Sequence, residues 1–428
     1  MRLGAALVAV VFAAVRHSEA AYFTGGTKPL PSPQQAVLDR HEEILSLGLN
    51  TDWLATGKIN SAKYMEAVDI LAGAVREGVL PGAVIMSDRL AGKNFPLAIG
   101  YLQTDPGKIR NRYDSLYAVD DMTGALITAP LAYGLLSSKK FTLATTIGAV
   151  FPAAEKSRIG GVTVEQLLRH SSGVSGEPAG PFSGDGGSIL NAMVGELEIR
   201  PPGVSVNPQR VNMAILGLMI EQVEGRRLDV LARERLYGPF EMATTTMMPT
   251  MGTRMNTATS AFSAELDRFA WAEPADPMGR ALEGHAGHTG LLTCADDVAN
   301  LLKLALAMRQ TSTIFFGRAS IPAAFRPSEG LEGGETMGLG VRLGRFGRKS
   351  FGWDSSTGSS LWVLPEHNGM LLILTNADHP NGMKPEARPA LDRAAVLLAE
   401  ALGWSSAPID TPGPLGILPT AAPTPRLP

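Results

Sequence analysis

Apolar positions recur every three or four residues between residues 61 and 77, where Met65, Val68, Leu71 and Val75 share one side. That period predicts an amphipathic helix with one buried face. Gly78 and Pro81-Gly82 stop it. Two strands are expected next, at residues 83–88 and 95–102, joined by a turn over residues 91–94. From residue 123 to about residue 308 the pattern is mostly helical, broken by long Gly/Pro-bearing loops at 171–187 and 247–260. Short apolar runs bounded by turns return at 337–345, 359–364 and 370–376 and predict strands. Residues 386–402 predict a closing amphipathic helix.

Strands at both ends of the chain with helices between them imply a mixed sheet built from the two ends and a helical lobe inserted in the middle. Residues 24–33, rich in Gly and Pro, read as a linker, and residues 34–47 as a short polar helix. Residues 405–428 are rich in proline and nearly uncharged, a tail or an extended segment laid on a partner. No internal repeat is visible.

The 428 residues are 45% hydrophobic, enough for a large core. The net charge is −3 and no basic block is longer than Lys139-Lys140 or Arg226-Arg227. Nucleic-acid binding and a polybasic membrane patch, which need clustered cations, are therefore not expected. The lone cysteine, Cys294, rules out an internal disulfide and a cysteine-based zinc cluster and reads as a small buried side chain. His170, His285, His288, His367 and His379 have no metal-ligand spacing, so neither a metal nor a cofactor is expected. Met1-Arg2, an apolar run over residues 3–15, and Ser18-Glu19-Ala20 predict a secretory signal cut after Ala20, and so a secreted, lumenal or periplasmic protein. A mitochondrial presequence is the alternative, since Arg2 and Arg16 are basic and no acid precedes Glu19. An uncleaved helix is a third, and the one route to a membrane.

Five stretches in order resemble the beta-lactamase-related serine hydrolases, a family of class C beta-lactamases, D-Ala-D-Ala peptidases and esterases. They are Gly78-Val79-Leu80-Pro81-Gly82-Ala83-Val84; Thr163-Val164-Glu165-Gln166-Leu167-Leu168-Arg169-His170-Ser171-Ser172-Gly173; Leu216-Gly217-Leu218-Met219-Ile220-Glu221; Gly284-His285-Ala286-Gly287-His288-Thr289-Gly290-Leu291 with Ala295-Asp296-Asp297; and Thr357-Gly358-Ser359-Ser360-Leu361-Trp362 with Leu374-Thr375-Asn376. The resemblance covers residues 67–404. It implies an α+β fold, an antiparallel sheet flanked by helices plus an all-helical lobe, with the active site between them. The boundaries that follow are a leader at 1–20, a linker and N-terminal segment at 21–60, the domain at 61–404, and the tail at 405–428. Within the domain, residues 61–120 and 335–404 form the sheet part and residues 121–310 the lobe.

The resemblance also implies a serine nucleophile, a lysine one turn later, a tyrosine from the lobe and a Lys/His-Thr-Gly strand. Aligned on its flanks, this chain has none of them. The Ser-x-x-Lys slot reads Asp121-Met122-Thr123-Gly124, the Tyr-Ser-Asn slot Pro208-Gln209-Arg210, and the Lys/His-Thr-Gly slot Trp353-Asp354-Ser355. Ser137-Ser138-Lys139-Lys140 and His288-Thr289-Gly290 spell similar motifs outside the expected context, and Ser205-Val206-Asn207 lies upstream of the tyrosine slot. Asp121, Arg210 and Asp354 are expected to converge, the simplest outcome being an Arg–carboxylate pair that closes the cleft with Trp353 filling it. Asp121 would also make a good helix N-cap. No catalytic residue is expected. The reading is an inactive family member with a structural or protein-binding role in a larger assembly. The alternatives are a hydrolase of altered mechanism using Asp121 or a histidine, and a ligand sensor that keeps the cleft open.

Overall fold

The computed structural model describes residues 59–89, 96–311, 326–327, 331–332, 336–347, 350–367 and 369–404. The expected leader, the linker up to residue 58, the polar helix at 34–47, the turn at 91–94 and the Pro-rich segment 405–428 lie outside them. Helix α1 (Ser61–Arg76) begins where the Asn60 side chain accepts a hydrogen bond from the Lys63 N–H at 3.2 Å, a side-chain cap on an otherwise unsatisfied donor. It buries Met65, Val68, Leu71 and Val75, the positions its period selects.

The strands are β1 (Gly82–Arg89), β2 (Leu97–Gln103), β3 (Ile109–Arg110), β4 (Tyr117–Ala118), β5 (Leu292–Thr293), β6 (Arg342–Leu343), β7 (Phe351–Asp354), β8 (Ser360–Leu364) and β9 (Gly369–Thr375). Seven of them form one sheet in the order β6-β7-β8-β9-β1-β2-β3. Every pairing in it is antiparallel, so the mixed sheet expected from periodicity gives way to the antiparallel one the resemblance implied. β1 and β9, from opposite ends of the chain, are central neighbours in register from Ala83↔Thr375 to Arg89↔Gly369.

Alternation divides the sheet between two cores. Ala83, Ile85, Ile99, Trp362, Leu371 and Ile373 pack against α1 and the closing helix (Ala387–Ala401). Val84, Met86, Trp353, Leu361, Val363 and Leu372 face the helical section. Each fully buried aliphatic or aromatic side chain contributes roughly 1.5–3 kcal/mol.

Between β4 and β5 the chain is largely helical. The helices that matter for the site are α2 (Ala129–Ser137), entered through π-type turns at Gly124–Thr128, and α3 (Arg210–Glu224). α3 ends on Gly225, whose φ of 64° is the left-handed cap that glycine takes without strain. The expected loop at 247–260 holds a short helix (Met251–Met255) and then a hairpin strand (Thr259–Ser263) paired with Arg268–Trp271. The expected strand at 337–345 is instead a tight hairpin, with Met337 bridged to Arg342 and only Arg342–Leu343 in the sheet. The closing helix, α4 (Ala387–Ala401), packs against α1.

Candidate functional site

The chain turns into the helical section immediately after β4. Asp120 there has a φ of 43°, a left-handed conformation that Asp tolerates better than most residues. The Asp120 and Asp121 side chains therefore serve different partners. Asp121 reaches the loop after β7: its Oδ2 accepts from Trp353 Nε1 (3.0 Å), and its Oδ1 from Ser355 Oγ (2.8 Å) and the Ser356 N–H (3.0 Å). It bridges helical section and sheet in place of the expected helix cap. One turn on, at Gly124, an added Cβ would lie 2.7 Å from Met213 Cγ on α3. The space a lysine stem would need belongs to methionine.

Arg210, the first residue of α3, pairs with Asp120 and not with Asp121. Its Nη2 donates to Asp120 Oδ2 at 2.6 Å and to Ser356 Oγ at 2.9 Å, and Nη1 lies 3.8 Å from Glu177. Ser356 Oγ and Thr289 Oγ1 also donate to Asp120. Asp120 raises Arg210 above its ordinary value, and burial opposes it. The expected Arg–carboxylate pair thus exists, shifted by one residue. The reason is the left-handed turn at Asp120, which sends the first carboxylate towards α3 and the second towards the sheet.

Trp353 is buried, with Arg342 Cζ 4.8 Å from its ring centre and the His170 ring 5.5 Å away. Burial, with Arg342 adding to it, pushes the His170 imidazole down to about 3, so it is neutral. Pro208 sits half-buried before α3. Ser355 Oγ also lies 3.0 Å from the Val119 carbonyl, and Arg388 of α4 donates to the Ser355 carbonyl at 2.8 Å.

Asp354 does not join this group. Successive strand residues point to opposite faces, so a cleft-facing Trp353 sends Asp354 to the other side. There it pairs with Arg345 and accepts from Ser360 Oγ (2.6 Å) and Trp362 Nε1 (3.1 Å). Burial works against its charge, but Arg345, Arg342 and those donors outweigh it and hold the carboxyl below its ordinary range. Of the other motif-like stretches, His288 Nε2 lies 3.0 Å from the buried Asp276 and Ser138 bonds to its own helix carbonyl. Cys294 is buried beside Thr244, and burial pushes its thiol up to about 11. Among the described residues no three His, Cys, Asp or Glu side chains are grouped to hold a metal ion, and no helix is long and apolar enough to cross a membrane.

Asp120, Ser356, Thr289 and Met213 complete the site, and the sequence reading missed them. The acid next to Asp121 in sequence was a signal for Asp120. Met213 carried none, since its role depends on how α3 lies against Gly124.

Residues 69–396 match the family model described as Beta-lactamase. The chain belongs to the beta-lactamase family. Its relatives include a putative D-alanyl-D-alanine carboxypeptidase of Escherichia coli K12, 22% identical over 275 residues. That alignment covers 56% of this chain and spans 63% of the relative's length. Two solved structures share the fold. Simvastatin synthase from Aspergillus terreus is 15% identical, with a TM-score of 0.61 over 80% of this chain and 99% of its own. The D-alanine carboxypeptidase AmpC from Burkholderia cenocepacia is 17% identical, with a TM-score of 0.60 over 78% and 99%.

Proposed function

We propose that this protein is a catalytically inactive member of the beta-lactamase family that works by binding another protein, as a structural subunit of an assembly. The observation that carries the reading is the state of Asp121. It stands where the resemblance places the nucleophilic serine, and three donors from the facing loop occupy its carboxylate. A carboxylate held in this way must break those bonds before it attacks a carbonyl. Gly124 supplies no amine to assist it, and Met213 takes that space. Trp353 stands where a cation would dock substrate, with its indole N–H already committed.

Labelling tests this directly. Purified full-length protein incubated with a fluorophosphonate or with penicillin is expected to give no covalent adduct by intact mass. A stoichiometric adduct at any residue would mean a hydrolase of altered mechanism. The binding role is read separately, by native purification followed by mass spectrometry. A lone monomer with no co-purifying protein would count against an assembly, whatever the labelling shows.

A further inference from the structure

The loop that follows β9, residues 376–380, gathers two other parts of the chain. It holds the hairpin of Thr259–Ser263 with Arg268–Trp271. Asn376 Nδ2 donates to the Thr259 carbonyl at 2.8 Å, the Ala261 N–H to Asp378 Oδ2 at 3.1 Å, and the Phe262 N–H to the Pro380 carbonyl at 2.8 Å. The buried His379 joins that hairpin to the turn between β2 and β3. Its Nδ1 lies 3.0 Å from the Ser260 carbonyl, and its Nε2 accepts from the Thr104 and Asp105 N–H groups at 3.1 and 3.3 Å. Two N–H groups converge on Nε2, so that nitrogen carries no hydrogen, and Nδ1 carries the one donated to Ser260. The ring is fixed in one neutral tautomer with both nitrogens in use.

A second proton can go only to Nε2, where it would meet two donors head on. Protonation and the bonds to Thr104 and Asp105 therefore exclude each other. The charged side chains on the packed elements are Asp105 on the turn, Asp378 on the loop, and Glu265, Asp267 and Arg268 on the hairpin. Arg268 is paired with Glu273, and Glu265 with Arg280. Burial holds the His379 imidazole below its ordinary 6.5, while the Ser260 carbonyl and Asp105 work the other way. The held state therefore loses ground as pH falls below 6.5. Asp378 has the opposite sign. Burial pushes its carboxyl up to about 6, and its Oδ1 is buried with no hydrogen-bond partner among the described residues, so taking up a proton favours the folded loop. Acid thus loosens this corner through His379 and tightens it through Asp378, and the direction of the response tells the two apart.

We propose that His379 is an acid-operated clasp: neutral, it ties the β2–β3 turn to the hairpin, and protonated, it releases the turn and loosens the edge strand β3 that the turn leads into. The clasp uses no residue of the Asp121 site and stands whichever way the labelling falls. The test is hydrogen exchange of the full chain by mass spectrometry between pH 7 and pH 5, corrected for the intrinsic pH dependence of exchange. In peptides containing the Thr104 and Asp105 amides, the opening constant is expected to rise about tenfold per pH unit below 6.5 until the held imidazole itself titrates. That rise should exceed any in peptides of β1 and β9, which report opening of the whole sheet. His379→Gln keeps a donor and an acceptor but takes up no proton, so its turn should open no more steeply than β1 and β9. Asp105→Asn keeps the backbone N–H and removes the carboxylate that favours the imidazolium, so the rise should move to lower pH. The proposal is overturned by a turn that does not respond to pH, by one that closes in acid, by a rise no greater than that of β1 and β9, or by a His379→Gln variant that keeps the parent's rise. If the turn of His379→Gln is already open at pH 7, Asp105→Asn decides, and a rise at the parent's pH overturns the proposal.

Discussion

Asp121 is half-buried and accepts from an indole, a hydroxyl and a backbone N–H. Removing it strands three donors, so Asp121→Ala should destabilise the protein by about 2–4 kcal/mol, read by equilibrium denaturation. Asp121→Ser puts a serine where the resemblance expects one. With Trp353 in place and no amine at position 124, it should gain no fluorophosphonate labelling. Gly124→Ala sets a helix-propensity gain of about 1 kcal/mol against an overpacking cost of about 1–3 kcal/mol at Met213. In a double-mutant cycle, Gly124→Ala should therefore be better tolerated on a Met213→Ala background than on the parent.

His170 gives the pH dependence at the same scale. Its folded value is lowered to about 3 from an ordinary 6.5 by burial. As pH falls below 6.5 the unfolded chain takes up the proton first, so this group leaves stability undiminished above 6.5 and erodes it between 6.5 and about 3. At about pH 4.5 the loss is on the order of 2–3 kcal/mol. His170→Asn, a residue that also tolerates the backbone φ of 53° here, should flatten that acid limb. Parallel limbs in the two proteins would rule the assignment out.

Among the elements, β7 carries the sharpest expectation. Asp354 and Arg345 form a buried pair beneath the sheet, whereas Asp392, the second partner of Arg345, is 47% exposed. Asp354→Ala should cost about 3 kcal/mol by leaving the buried Arg345 with only the half-exposed Asp392 and by stranding Ser360 Oγ and Trp362 Nε1, and Asp392→Ala well under 1 kcal/mol. This element also marks how far the sequence could be read. α1 and α4 were legible to within about a turn because their apolar faces repeat at the helical period. The flanks brought Trp353 and Asp121 together, and strict alternation then assigns Asp354 to the opposite face. The shift of the Arg210 partner from Asp121 to Asp120 was not legible, because it depends on one left-handed backbone angle. β3 and the hairpin of Thr259–Ser263 with Arg268–Trp271 are too short or too polar to show a strand period, and local pairing partners decide them.

At the scale of the whole molecule, the two ends of the domain complete each other. α1 and α4 pack together on one face of the sheet, and β9 lies between β8 and β1. Deleting residues 387–404 would expose Leu71, Ile85, Ile373 and the rest of that core at once. Such a truncation should lose cooperative unfolding altogether, read as the absence of a thermal transition, and should not fold as a less stable version of the parent.

The pairing of β1 with β9 also sets a timetable. Ala83 leaves the ribosome about 290 residues before its partner Thr375. At roughly 5–20 residues per second, that interval is on the order of fifteen seconds to a minute. Through it Val84, Ile85 and Met86 have one flank without its β9 neighbour, an invitation to pair with another chain. The nascent protein is therefore expected to depend on a chaperone that shields extended apolar segments. Its yield in a reconstituted translation system should rise when such a chaperone is supplied during synthesis, and much less when it is added afterwards.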